Sequence, residues 1–143
     1  MTPQQIAEAA AAAMWAEDRA SRGLGMRLEA VGPGTATLSM PVRDDMVNGL
    51  DLCHGGFIFT LADSTFAFAC NSYNQRAVAQ IASITFLAPA RRGDRLTATA
   101  REVSSIGRSG LYDIRVTRQT GEPIAEFRGH SRTIKGTHVP VED

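Results

Sequence analysis

The segment Gly56–Ser72, GFIFTLADSTFAFACNS, restricts the fold more than any other part of the chain. It is long enough for a helix, and Phe57, Ile58, Phe59, Leu61, Ala62, Phe66, Phe68, Ala69 and Cys70 would point in almost every direction around it. A helix that is apolar nearly all round needs cover on all sides. A curved sheet supplies part of that cover, and a second subunit is expected to supply the rest. The chain is therefore expected to form a dimer or a larger oligomer.

The flanking sequence provides the sheet. Met26–Val31 and Thr35–Val42 read as strands joined at Gly32-Pro33-Gly34. After the helix, Ala77–Ala90, Asp94–Ser105, Ser109–Gln119 and Pro123–Ile134 read as four more, with clear alternation in Leu96–Val103 and Leu111–Thr117. A first helix begins after Thr2 as N-cap, with Pro3 in its first turn, and Gly23 ends it. The tail Gly136–Asp143 reads as loose. The expectation is a single α+β domain over residues 1–143, with about six antiparallel strands, a long central helix and a short N-terminal one.

Composition excludes several classes. Fifteen basic side chains balance fifteen acidic ones, so neither nucleic acid nor an anionic membrane is favoured as partner. No run approaches about 18 apolar residues without a charge, so no membrane span is expected. The N-terminus carries acids early and its apolar part is mostly alanine, so no secretory signal is expected there. Cys53 and Cys70 have no metal or redox spacing and read as reduced packing residues of a cytoplasmic protein. G-x-S-x-G, zinc spacing and phosphate loops are absent from the sequence, so a Ser-His-Asp hydrolase is poorly supported and no zinc site or phosphate loop is read.

The chemistry lies around the apolar helix. On a helical wheel Thr60, Asp63, Ser64, Ala67 and Asn71 share one sector. A buried carboxylate is costly unless it is paired, hydrogen-bonded or protonated. Asp63 is thus either an interface carboxylate satisfied by a serine or a backbone amide, or a desolvated base or nucleophile. At the helix start, Gly55 and Gly56 offer backbone N–H groups with no side chain in the way, as an oxyanion hole requires. Asn48 and His54 add donors in the same loop. Asp63 lies eight residues beyond Gly55, about 12 Å along a helix, too far for both to meet one carbonyl. If two such helices pack antiparallel about a two-fold axis, Asp63 of one approaches Gly55 of the other.

N-G-L-D-L-C-H-G-G-F-I-F-T-L-A-D-S-T-F-A-F-A-C-N-S, then I-T-F-L-A-P-A-R-R-G-D-R-L-T-A-T-A, G-L-Y-D-I-R-V and F-R-G-H-S-R, carry a resemblance that runs from about Met26 to Gly136. The chain resembles the hotdog-fold acyl-CoA thioesterases, specifically their PaaI-type (phenylacetyl-CoA) branch. The resemblance implies the hotdog fold, a homodimer joined edge to edge that assembles into a homotetramer, and acyl-CoA hydrolysis without a cofactor. By position, it implies Asp63 as catalytic carboxylate and Gly55 as oxyanion donor. Asn48 falls near the attacking water or carboxylate, and His54 at the thioester end. Ser64 joins the substrate contacts. The CoA arm is expected at Leu87, Ala88 and Pro89, with Gly107 and Arg108. Arg91 and Arg92 are equally phosphate contacts or solvated surface. Some relatives bring a serine or threonine to the carboxylate from the strand after the helix, a role left open between Gln80 and Ser83. His130 and His138 read as structural or exposed. Phe57, Phe66 and Phe68 suit either an aromatic acyl group or the core. The rival readings are a hotdog hydratase or dehydratase using His54 and Asp63, and a non-catalytic acyl-CoA-binding module.

Overall fold

The computed structural model describes residues 1–141. Thr2 opens the first helix in a reciprocal cap: its Oγ1 accepts from the Gln5 N–H, and Gln5 Oε1 accepts from the Thr2 N–H. Helix α1 (Pro3–Glu17) does not reach Gly23 as expected. At Asp18 the backbone leaves helical geometry, and the Asp18 carboxylate accepts from both the N–H and the hydroxyl of Ser21. An aspartate that caps the residues after it starts a second, short helix, α2 (Arg19–Gly23).

Strands β1 (Arg27–Gly32) and β2 (Thr35–Pro41) follow, then a 3-10 turn at Asp44–Met46 and helix α3 (Gly55–Cys70). Strands β3 (Ala77–Phe86), β4 (Arg95–Ile106), β5 (Ser109–Arg118) and β6 (Pro123–Thr133) complete one antiparallel sheet in the order β1-β2-β4-β5-β6-β3. The strand expected to reach Ala90 stops at Phe86, where Leu87 and Ala88 turn their N–H groups onto the Ile124 carbonyl. The sheet wraps α3 in the hotdog arrangement.

Ile58, Leu61, Ala62, Phe66, Phe68 and Ala69 are buried. Phe66 meets Tyr112 edge-on at 5.6 Å. Gly129 lets β6 approach the helix, since a Cβ there would stand 2.7 Å from the Phe66 ring. The helix face carrying Thr60, Asp63, Ser64 and Ala67 stays only half-buried. Strand β3 is an edge whose Val78, Ile81 and Phe86 are exposed. A long apolar edge is a template for pairing with another chain. Cys53 and Cys70 are buried free thiols.

The tail is a correction to the sequence reading. Asn74 Oδ1 accepts from the N–H groups of His138 and Val139, and Asn74 Nδ2 donates to the Val139 carbonyl. His138 Nε2 lies 2.7 Å from Asn71 Oδ1. That oxygen already accepts from the Ala77 N–H, so the imidazole is the donor. From Gly136 to Val139 the tail is therefore strapped across the end of α3, and His138 has a structural partner; residues 142–143 of the expected loose segment lie outside the described residues.

Candidate active site

His54 is the N-cap of α3, and its Nδ1 accepts from the Gly56 N–H at 3.3 Å. In the neutral ring this places the proton on Nε2. The His54 N–H donates to the Met46 carbonyl and the Cys53 N–H to the Ala90 carbonyl, which pins the loop. The Phe57 N–H donates to the His54 carbonyl. The Gly55 N–H, between these, has no partner among the described residues. It is an unpaired donor at the positive end of the helix dipole.

Asn48 Oδ1 accepts from the N–H groups of Leu50 and Leu52 at 2.9 and 3.2 Å. That fixes the side chain, and its amide N–H groups have no partner among the described residues. Asn48, Gly55, Leu87, Ala88 and Pro89 share the walls of one open cavity of about 500 Å³ with Phe86. The structure thus brings these five expected residues together. Arg92 is held by Asp51 at 3.0 Å and Asp44 at 3.9 Å, and the Arg91 side chain makes no ion pair among the described residues.

Asp63 is half-buried, and its carboxylate makes no hydrogen bond or ion pair among the described residues. Burial pushes it above the ordinary carboxylate range. The polar side chains that share its helix face are engaged elsewhere. Ser64 Oγ shares a 2.8 Å hydrogen bond with Ser21 Oγ of α2, Thr60 Oγ1 donates to the Gly56 carbonyl, and Asn71 Nδ2 donates to the Ala67 carbonyl. Asp63 is absent from the walls of the cavity at Gly55.

Gly107 and Arg108 sit in the β4–β5 turn and line a different cavity of about 190 Å³ at the far end of α3. The Arg108 guanidinium donates to the Thr133 carbonyl. One chain therefore holds two groups of site residues at opposite ends of its helix. Neither Gln80 nor Ser83 meets the carboxylate. A bulge between Ala79 and Ile81 leaves Gln80 without a partner on β6. Beyond it Ser83 pairs with exposed Arg128, and Ile84 with buried Phe127, so Ser83 faces away from α3.

Two site neighbours were not singled out from sequence. Phe86 covers Gly55, and Ser131 lines the far cavity. The alternation Phe127, Gly129, Ser131 along β6, all buried, is the signal that marks Ser131 as facing inward.

The profile of the Thioesterase superfamily matches residues 50–125. The chain is 42% identical over 125 residues to acyl-coenzyme A thioesterase PaaI of Escherichia coli K12, covering 87% of this chain and 89% of that one. The structure is similar to that of the E. coli PaaI protein from the phenylacetic acid degradation operon. There the TM-score is 0.93 and the identity 40%, over 95% of this chain and 99% of the other. It is also similar to a Streptococcus mutans UA159 protein bound to acetyl-CoA, with TM-score 0.74 and 26% identity over 78% of this chain and 90% of the other.

Proposed function

For a chain that belongs to the thioesterase superfamily and is an acyl-CoA thioester hydrolase, we propose a site shared between two subunits that hydrolyses arylacetyl-CoA thioesters, phenylacetyl-CoA or ring-hydroxylated relatives. The products are the free acid and CoA. One thioesterase domain over residues 1–143 carries the reaction without metal or organic cofactor, in the cytoplasm, as a homodimer that assembles into a homotetramer. The related PaaI protein comes from a phenylacetic acid degradation operon, which supports the acyl class. The S. mutans protein's acetyl-CoA supports the CoA class.

The observation that carries the proposal is the pairing of two unsatisfied groups on one helix: the free Gly55 N–H and the unpaired Asp63 carboxylate. They are eight residues apart, about 12 Å along the axis, so the thioester at Gly55 of one copy is served by Asp63 of a second. The exposed apolar edge β3 supplies the surface for that second copy. Gly55 N–H stabilises the carbonyl oxygen as charge develops on it. Asp63, ionised, takes a proton from a water whose oxygen attacks the carbonyl carbon, or attacks that carbon itself to give a mixed anhydride that water then hydrolyses to the free acid. The C–S bond breaks, and the CoA thiolate leaves and takes up a proton. Asn48, with its amide N–H groups free, steadies the water or carboxylate, and His54 Nε2–H orients the thioester. Leu87, Ala88 and Pro89 line the pantetheine path, Ser64 contacts substrate beside Asp63, and Gly107 and Arg108 of the second copy complete the CoA contacts.

The test is Asp63→Asn assayed on a panel of aryl-acetyl, benzoyl and aliphatic CoA thioesters. The variant keeps fold and assembly and loses kcat by on the order of 10² or more, with arylacetyl thioesters the best wild-type substrates. Near-wild-type turnover by a correctly assembled variant contradicts the role of Asp63.

A further inference from the structure

Asp51 stands in the left-handed backbone region, at φ 65°, within the turn that carries Asn48. The turn closes through the Asn48 N–H to the Leu52 carbonyl and the Asp51 N–H to the Asn48 carbonyl. With Asp51 so folded, the N–H groups of Leu50 and Leu52 both reach Asn48 Oδ1. That conformation costs free energy in any residue with a Cβ, and glycine adopts it without that cost. Aspartate can offset the cost by hydrogen-bonding its own local backbone. Asp51 does not: among the described residues its carboxylate bonds to no backbone group of the turn and accepts instead from Arg92 Nη2 at 3.0 Å.

Backbone pairing places Arg92 for this contact. Leu52 and Arg91 form an antiparallel bridge, which sets Asp51 and Arg92 opposite each other as the next pair. The turn bearing Arg92 is itself anchored. Buried Asp94 accepts from the Arg91 N–H at 2.8 Å, and from the side chains of Arg118 and Gln119 at 3.0 and 2.9 Å. The Gly93 N–H donates to the Val42 carbonyl, and the Val42 N–H to the Asp94 carbonyl. The arginine therefore reaches Asp51 from a fixed base. Its Nε lies 3.9 Å from Asp44 Oδ1, beyond hydrogen-bond range, so Asp51 is its main partner.

From this geometry we infer that Arg92 is a positioning residue: its ion pair with Asp51 offsets the backbone strain of the turn and so keeps Asn48 on the cavity wall beside Gly55. The inference rests on the role given to Asn48 above. Arg92 is then not a phosphate contact, although it is half-exposed and cationic. An exposed ion pair is weak, but this one works against a strained residue at a functional site. The value of kcat reports the fraction of sites in which Asn48 is in place. Arg92 and Asp51 act through that side chain and do not touch the substrate.

The experiment measures kcat and KM, on the best wild-type thioester of the panel above, for Arg92→Met, Asp51→Gly and the double variant, with Asn48→Ala beside them. Arg92→Met lowers kcat about threefold, the scale of one exposed ion pair. It leaves KM and inhibition by free CoA unchanged. Asp51→Gly forms the turn without strain and keeps the wild-type kcat. In that background Arg92→Met has no further effect. An equal fall of kcat in both backgrounds overturns the inference, and so does a wild-type kcat in Arg92→Met. A raised KM with weaker inhibition by free CoA in both backgrounds overturns it in favour of a phosphate contact. Asn48→Ala separates this inference from the reading beneath it. A loss of about tenfold or more in Asn48→Ala, with none in Arg92→Met, overturns the Arg92 role alone. An unchanged kcat in Asn48→Ala overturns the role of Asn48 and this inference together.

Discussion

Phe86 lies where a side chain on Gly55 would be: a Cβ there would stand 2.8 Å from Phe86 Cζ. The glycine that starts the helix and the aromatic that ends β3 are fitted to each other. The absent methyl lets the ring close over the helix N-terminus beside the free N–H.

This contact gives a double-mutant prediction. Gly55→Ala keeps the N–H but pushes the Phe86 ring aside, so kcat/KM falls about tenfold, a loss of ~1.4 kcal/mol of transition-state binding. In a Phe86→Ala background the added methyl meets no ring, and the further loss from Gly55→Ala shrinks to less than about threefold. Steady-state kinetics of the four proteins measure the coupling. Additive losses would show that the ring does not transmit the effect.

Asp63 gives a pH prediction with a definite sign. Burial raises its folded-state pKa, above about 3.9 for the unfolded side chain. A carboxyl shifted upward stabilises the fold least where it is ionised, so the penalty is absent below the unfolded value and grows as pH rises through the folded one. Asp63→Asn therefore raises Tm at neutral pH, and the gain shrinks as the solution is acidified toward pH 4. The same shift places the acid limb of the wild-type kcat/KM profile above the ordinary aspartate value. Thermal melts of both proteins across that range, beside the rate profile, test both statements. A destabilised Asp63→Asn variant at pH 7 would mean that the carboxylate has a stabilising partner.

How far the sequence could be read depended on the range of the interactions involved. The apolar run with one acid made α3 and Asp63 visible, and paired glycines marked the start of the helix. Those features follow from local pattern and the cost of burying charge. The break at Asp18 turns on whether a side chain caps the next helix or leaves an alanine-rich one to continue, and composition favours continuation. The tail strap depends on Asn71 and Asn74 meeting residues more than sixty positions away, which no local pattern records. Ser83 shows the limit most sharply. Simple alternation from Ala79 would turn Ser83 toward the helix, but the single extra residue at Gln80 reverses the parity of everything after it. The free Gly55 N–H was legible as a possibility. That His54 caps Gly56 and leaves Gly55 unpaired is a matter of three-dimensional geometry.

The central claim is that each site takes its oxyanion donor from one chain and its carboxylate from another, and co-assembly of two inactive proteins tests it directly. Asp63→Asn lacks the carboxylate, and Gly55→Pro lacks the N–H outright. Circular dichroism and sedimentation must first show that each folds and assembles. In a mixed dimer one site joins the intact Gly55 of one chain to the intact Asp63 of the other, while the second site carries both lesions. Thioester hydrolysis should therefore recover to about half the wild-type rate per mixed dimer. Mixed dimers that are verified by mass and still release no CoA would place both groups in one chain and contradict the shared site.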